Sequence, residues 1–250
     1  MRKLTLFIIV LFSFIFSDAQ TSFTLLGGIH NASVSPNYLT YPDTAKRTMK
    51  PKIGVELGLL INFEIRNGFS IRTGVLFSAK GSNWTQFYDT TNLIGRTTNV
   101  SSSQKNVLFS ANTILTNNYI DAPLDLLYNV PLNRKTKFIV GAGPMFSLIL
   151  SCHTDFNTLS YSQETNFEPK AHSDKKFIDL PVGRLPGAAR IFHLGYNAFA
   201  GLDFGKVSLM VNYSKDINEF FEDKGRNYKN KTFGITLGIN IDGNDAKDID

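Results

Sequence analysis

Three features of the 250-residue sequence predict an all-β fold, an eight-stranded antiparallel up-and-down transmembrane β-barrel. The chain opens with an export signal. The remainder divides into segments with period-2 alternation and no long amphipathic helix pattern. The connections between those segments alternate between tight and long, as in barrels whose short turns face one side of a membrane and whose loops face the other.

The export signal comes first. Arg2 and Lys3 precede an apolar run from Leu4 to Phe16, and Ser17-Asp18-Ala19 offers a small-residue cleavage site ahead of Gln20. The run is shorter than the roughly 20 residues a spanning helix needs. Residues 1–19 are therefore read as a secretory signal peptide, cleaved near Ala19/Gln20. Residues 20–241 are read as the barrel domain and 242–250 as a short polar tail. The single Cys152 forms no internal disulfide. The formal charge of +5, or +4 without Arg2, Lys3 and Asp18, is too small and scattered for nucleic-acid binding.

Strands are expected near 22–31, 52–66, 69–81, 118–130, 136–150, 191–204, 206–217 and 231–241. Three connections are tight: Arg66-Asn67-Gly68, Pro131 to Lys135, and Phe204-Gly205-Lys206. Four are long and polar: 32–51, 82–117, 151–190 and 218–230. Eight strands with both termini on the tight-turn side require three turns and four loops. A soluble sandwich has no reason to gather its long loops at one end, and loops as long as the second and third are uncommon in compact soluble domains.

The strand faces decide between lipid outside and a greasy interior. In KIGVELGLLINFEIR (52–66), every odd position from Ile53 to Ile65 is apolar, while the even ones read Lys, Gly, Glu, Gly, Leu, Asn, Glu, Arg. The strands at 69–81, 118–130, 191–204 and 231–241 repeat the contrast, with glycines and charges of both signs on the polar face. A lipocalin-like soluble binding barrel would have an apolar interior. Glycines instead suit the narrow lumen of eight strands, and opposite charges suit a closed space where each needs a partner. The apolar face is thus expected to meet lipid. The polar face is expected to hold a structural lumen network of Glu56, Glu64, Arg72, Lys80, Asp121, Asp125, His193 and Asp203. Phe63, Phe69, Tyr128, Phe138 and Phe204 are placed as an aromatic girdle beside the short turns, and Trp84, Phe87 and Tyr88 at the outer interface.

The first hairpin fixes a register. Directly paired residues share a face. A three-residue loop, Arg66-Asn67-Gly68, pairs Ile65 with Phe69 and then Phe63 with Ile71, Ile61 with Thr73 and Leu59 with Val75. Expected lumen contacts are Glu64–Arg72 and Glu56–Lys80, with Asp121, Asp125 and Asp203 as rival partners for the cations.

The signal end Asp18-Ala19-Gln20, the hairpin at 52–81, YIDAPLDLLYNV (119–130) and FIVGAGPMFSLIL (138–150) together resemble the PorT-type outer-membrane β-barrel proteins of Bacteroidetes-like bacteria. Tyr119, Pro123 and Leu124 match that family's Tyr-x-x-x-Pro-Leu pattern, followed by a Gly-rich strand. The resemblance implies an eight-stranded barrel in the outer membrane of a Gram-negative cell. It implies no catalytic residues, and for some members a part in protein secretion and gliding. DGNDAKDID after Ile241 departs from barrels that end on an aromatic residue.

Motifs for chemistry are sparse. HExxH, GxSxG and phosphate-binding glycine loops are absent from the sequence, and no cofactor or metal is expected. His30 and His193 fall on the polar face, away from where a lipid A-modifying barrel enzyme would need a nucleophile and base. Cys152-His153-Thr154-Asp155 and His172-Ser173-Asp174 share a loop but lack the pairwise spacing of a closed zinc site. The expected function is a non-enzymatic structural, surface-interaction or envelope-machinery accessory role. Its partners would be outer-membrane lipid and, through the four loops, other envelope proteins.

Overall fold

The computed structural model describes residues 20–35, 45–89, 107–162, 172–183, 188–220 and 228–241. The expected signal peptide at 1–19 and the expected polar tail at 242–250 lie outside them. Among the described residues nine strands form, all pairing antiparallel: β1 (Gln20–Ser35), β2 (Ala45–Arg66), β3 (Phe69–Asp89), β4 (Val107–Pro131), β5 (Lys137–Ser162), β6 (His172–Asp179), β7 (Phe192–Asp203), β8 (Val207–Asp216) and β9 (Lys229–Asn240). Eight close on themselves in the order β1-β2-β3-β4-β5-β7-β8-β9, with β9 returning to β1. β6 stands outside the closed wall and, among the described residues, pairs only with the far end of β5, from His153↔Asp179 to Ser160↔His172. The closed barrel therefore has the expected eight strands, and β6 is an addition within the third long loop.

The wall is apolar outside. Ile53 is 73% exposed and Leu57 58%, whereas Leu60, facing the other way, is 3%. Leu25, Ile29, Val75, Leu124, Leu126, Leu148, Leu209, Ile235 and Leu237 continue this outward band around the molecule. Water would make such a surface untenable over so many contiguous strands, and lipid makes it the favourable one. Among the described residues no helix is long and apolar enough to cross a membrane, and a closed barrel satisfies its backbone across the bilayer with strands alone. Near the short turns the outward face carries Phe69, Tyr128, Phe138 and Phe204, with the rings of Phe69 and Tyr128 4.8 Å apart.

The first hairpin corrects the expected turn. Arg66 pairs with Phe69 across a two-residue Asn67-Gly68 turn, whose φ values of 54° and 82° are both left-handed. This is the backbone that Asn-Gly favours in a tight hairpin. Ile65 is the extra residue of a bulge between Glu64 and Arg66, and it restores the face alignment that a three-residue loop would have given. Beyond the bulge, Phe63↔Ile71, Ile61↔Thr73 and Leu59↔Val75 pair as the alternation requires.

The second correction concerns length. Much of what the sequence reads as loop is strand. β2 begins at Ala45, β3 continues to Asp89, β4 begins at Val107 and β5 runs to Ser162. Paired register by register, these segments and β6 make an open sheet that rises past the apolar band on the side away from the short turns. At its base β2 carries another irregularity, between Pro51 and Glu56. Lys52 lies just there, and its ammonium donates to the Thr116 hydroxyl on β4.

Candidate functional site: a filled lumen beneath a capped mouth

The lumen is occupied from end to end by side chains that alternation sends inward. Nearest the short turns, Arg72 on β3 is buried. Its Nε donates to Asn62 Oδ1 at 2.7 Å, and its guanidinium lies 4.8 Å from the centre of the Phe199 ring. Asn62 Nδ2 passes the chain on to Thr24 Oγ1 at 3.1 Å, and Thr24 donates to Asn240 Oδ1 at 2.7 Å. Leu26, Leu60, Leu76, Leu127, Ile139, Phe199 and Met210 pack around this polar thread. Asp125 faces Arg72 in the ladder and accepts from Asn197 Nδ2 at 3.2 Å. Between them is a cavity of about 40 Å³ that Glu56, Arg72, Asp125 and Asn197 help to line. Its size suits a water or two.

Above this layer lies a denser cluster. Lys80 on β3 forms an ion pair with Asp121 on β4 at 2.8 Å, both almost fully buried. Ser78 donates to the same Asp121 oxygen, and the Lys80 ammonium sits 4.8 Å from the centre of the Tyr119 ring. The Tyr119 hydroxyl accepts from Asn230 Nδ2 at 2.9 Å, and that amide donates to Asp216 Oδ2 at 2.7 Å. His193 Nδ1 faces Asp216 at 3.4 Å, while its Nε2 donates to the Arg190 carbonyl at 2.9 Å. Charges of opposite sign thus meet within the lumen, where an unpaired ion would cost several kcal/mol.

The mouth is closed. Phe220 and Ala189 come from the connections after β8 and before β7, and both are fully buried. They pack with Val34, Leu115, Tyr119, Ile149 and Cys152, and against Trp84, Leu180 and Tyr228. The Phe220 ring lies 5.7 Å from His193. Backbone bonds pin the cap: Arg190 N to Phe220 O at 2.8 Å, Phe220 N to Tyr228 O at 2.6 Å, Leu180 N to Cys152 O at 2.9 Å and Ile149 N to Ile191 O at 2.9 Å.

The structure sorts the residues singled out in the sequence. Arg72, Lys80, Asp121, Asp125 and His193 lie buried in the lumen, and Glu56 is half-buried beside the cavity. Glu64 is exposed near the Asn67-Gly68 turn. Asp203 is half-exposed at the end of β7, where its carboxylate accepts from Gly205 N at 2.9 Å. Arg72 turns to Asn62 instead of Glu64, and Lys80 chooses Asp121 over Glu56. Asp121 lies opposite Leu76, beyond Tyr119, the diagonal neighbour of Lys80, so the long Lys80 side chain reaches along the lumen past the Tyr119 ring to meet it. Trp84 also departs from its expected place at the lipid interface, since it packs under the cap. The side chains of Phe87 and Tyr88 lie outside the described residues.

Sequence reasoning does not reach Tyr119, Asp216, Asn230 or Phe220 as site residues. Tyr119 is visible there only as the first residue of the Tyr-x-x-x-Pro-Leu pattern, and it is the hub of the upper cluster. Cys152 and His153 point to opposite faces. Cys152 is buried under the cap, whereas His153 stacks on Phe177 at 5.3 Å and pairs with Asp179 on the outer side of β5 and β6. The His172 side chain lies outside the described residues. Chemically, the described lumen holds charges of both signs, Lys80 paired with Asp121, and is packed with side chains at both levels.

A family model described as outer membrane protein beta-barrel domain matches residues 17–243. No curated protein matches. Among solved structures the chain is similar to Neisserial surface protein A, at 11% identity and a TM-score of 0.39, covering 88% of this chain and 98% of that one. It is similar to Ail, the attachment invasion locus protein of Yersinia pestis, in complex with the heparin analogue sucrose octasulfate, at 12% identity and a TM-score of 0.33, covering 88% and 98%. The translocator domain of the autotransporter NalP from Neisseria meningitidis is similar at 9% identity and a TM-score of 0.23, covering 95% of each chain.

Proposed function

The chain belongs to the outer membrane protein beta-barrel domain family, and from that premise we propose that it is a non-enzymatic surface protein whose working part is the sheet raised outside the bilayer. Membership implies the bacterial outer membrane, with the tight turns toward the periplasm and the long strands outside. The observation that carries the reading is the division of the chain. Its lumen is filled and capped, so transport is poorly served. Its β3, β4 and β5 meanwhile continue far past the apolar band and take on β6 as an extra strand. A sheet fixed to a rigid barrel presents side chains in a defined array, which is how recognition surfaces are usually built. Phe177 on β6, 64% exposed, and Asp179 stand on that array.

Two measurements test this reading. A photo-crosslinking amino acid at Phe177 in cells should capture an envelope or extracellular macromolecule, while the same probe at Leu57 should capture lipid. Equal capture at both positions would remove the case for the sheet. Liposomes carrying the protein should swell no faster in small sugars than empty ones, and rapid swelling would make it a pore. A role as accessory to a secretion machine, which the PorT-type resemblance implies, predicts that the Phe177 crosslink lands on a component of such a machine. Conversion of lipid A to a new mass in cells that make the protein would favour the enzyme alternative.

A further inference from the structure

An uneven stretch of the lipid-facing wall lies across β4, β5, β7, β8 and β9. Where most of the band carries Leu, Ile, Val or Phe, this stretch carries Ala142, Ala198 and Ala200. The small side chains leave a groove of about 540 Å³ in the outer surface, walled by Leu126, Tyr128, Val140, Val211, Tyr213 and Phe233. Two adjacent ladder rows define it. One runs Tyr128↔Val140↔Ala200↔Val211, and the next runs Leu126↔Ala142↔Ala198↔Tyr213↔Phe233. Four interstrand steps make it about 19 Å long, and because barrel strands tilt by about 35–45° it runs obliquely up the wall instead of level around it, a path one acyl chain can follow.

One row farther toward the outside, Tyr196, Lys215 and Lys231 stand in register. Lys215 and Lys231 are directly opposed on β8 and β9, and Lys229 comes two residues along on the same face. Like charges in that position repel. Among the described residues no carboxylate forms an ion pair with either. Lys231 rests at 6.0 Å over the Tyr213 ring, which is itself part of the groove wall. Two cations held together at the upper end of an apolar groove call for an anion that carries a hydrocarbon tail.

We propose that this groove and the Lys215–Lys231 pair bind one phosphorylated, acylated lipid of the outer leaflet, the acyl chain along Ala142, Ala198 and Ala200 and a phosphate between the two ammonium groups. The phosphate relieves the repulsion that the ladder register imposes. The tail fills a gap that would otherwise be packed by disordered lipid.

The test uses the full-length barrel in nanodiscs holding equal amounts of a phosphorylated lipid A and its dephosphorylated counterpart. Lipid retained on release is weighed by native mass spectrometry. The protein should retain the phosphorylated lipid selectively, as a single adduct. Lys215→Gln with Lys231→Gln should cut that selectivity roughly tenfold or more, as expected for two lysines at an anionic surface. Ala198→Leu with Ala200→Leu should lose both lipids, because the groove is filled while the wall stays apolar. Heat-modifiable gel migration checks that each variant is folded. Equal retention of the two lipids, or unchanged selectivity in the lysine variant, would overturn the proposal. So would a protein dimer that the alanine variant dissociates, since the groove would then belong to a second copy of the chain.

Discussion

The same strands pass through two environments, and their side chains are organised differently in each. Within the apolar band, β2 to β5 have lipid on one face and a packed lumen on the other, and the buried Lys80 is matched locally by Asp121. Above the band, the sheet carries a hydrogen-bonded pair, His153 with Asp179, whose carboxylate is open to water. The barrel wall thus takes its stability from burial and charge matching, whereas the outer sheet takes its order from being hydrogen-bonded to strands already fixed below it.

The two pairs give the sharpest contrast. Replacing Lys80 by Met leaves Asp121 buried without its cation and should cost about 3–5 kcal/mol in a membrane refolding titration. Adding Asp121→Leu should restore most of the loss. The equivalent lesion outside, Asp179→Asn, should cost no more than about 1 kcal/mol. Comparable losses at the two sites would mean that burial is not what separates the regions. A smaller effect is expected from placing a charge on the outer surface. Leu57→Arg, or Val75→Arg, puts a guanidinium in the bilayer and should cost about 2–4 kcal/mol. Asn112→Arg, on an exposed position of β4 above the band, should stay within about 0.5 kcal/mol. A neutral Leu57→Arg would reverse the assigned faces. Within the barrel wall the mildest of these lesions belongs to the turn that joins β2 to β3. Gly68→Ala forces a Cβ into a left-handed backbone and to within 2.7 Å of the Asn129 carbonyl, and should cost about 1–2 kcal/mol in the same assay.

The contrast also explains what can be read from the sequence. Ile53 to Ile65 and their neighbours are legible because lipid demands an apolar residue at every second position. Once a strand leaves the bilayer that demand ends. SNWTQFYD, which forms the upper part of β3, shows no such pattern and reads as loop. The lumen charges are legible as a set because they interrupt apolar strands on the even face. Their partners are less so. Lys80 has a carboxylate on each side, Glu56 from β2 and Asp121 from β4, and alternation alone does not say that its side chain reaches past the neighbouring diagonal to Asp121, which stands opposite Leu76. The cap is not legible at all. Phe220 lies in a polar connection, and only the folding back of 188–190 and 217–220 over His193 buries it.

The bulge at Ile65 has a consequence for how such a chain can change length. A pleated strand has a reading frame of two: removing one residue from the middle of β2, at Leu59 for example, would send every residue beyond it to the opposite face. Ile65 is exempt. Glu64 already pairs with Ser70 and Arg66 with Phe69, so deleting Ile65 would leave a continuous ladder with the frame intact on both sides. Within this hairpin, insertions and deletions of a single residue are tolerated only where a bulge already absorbs the phase; elsewhere the wall can lengthen or shorten only in pairs.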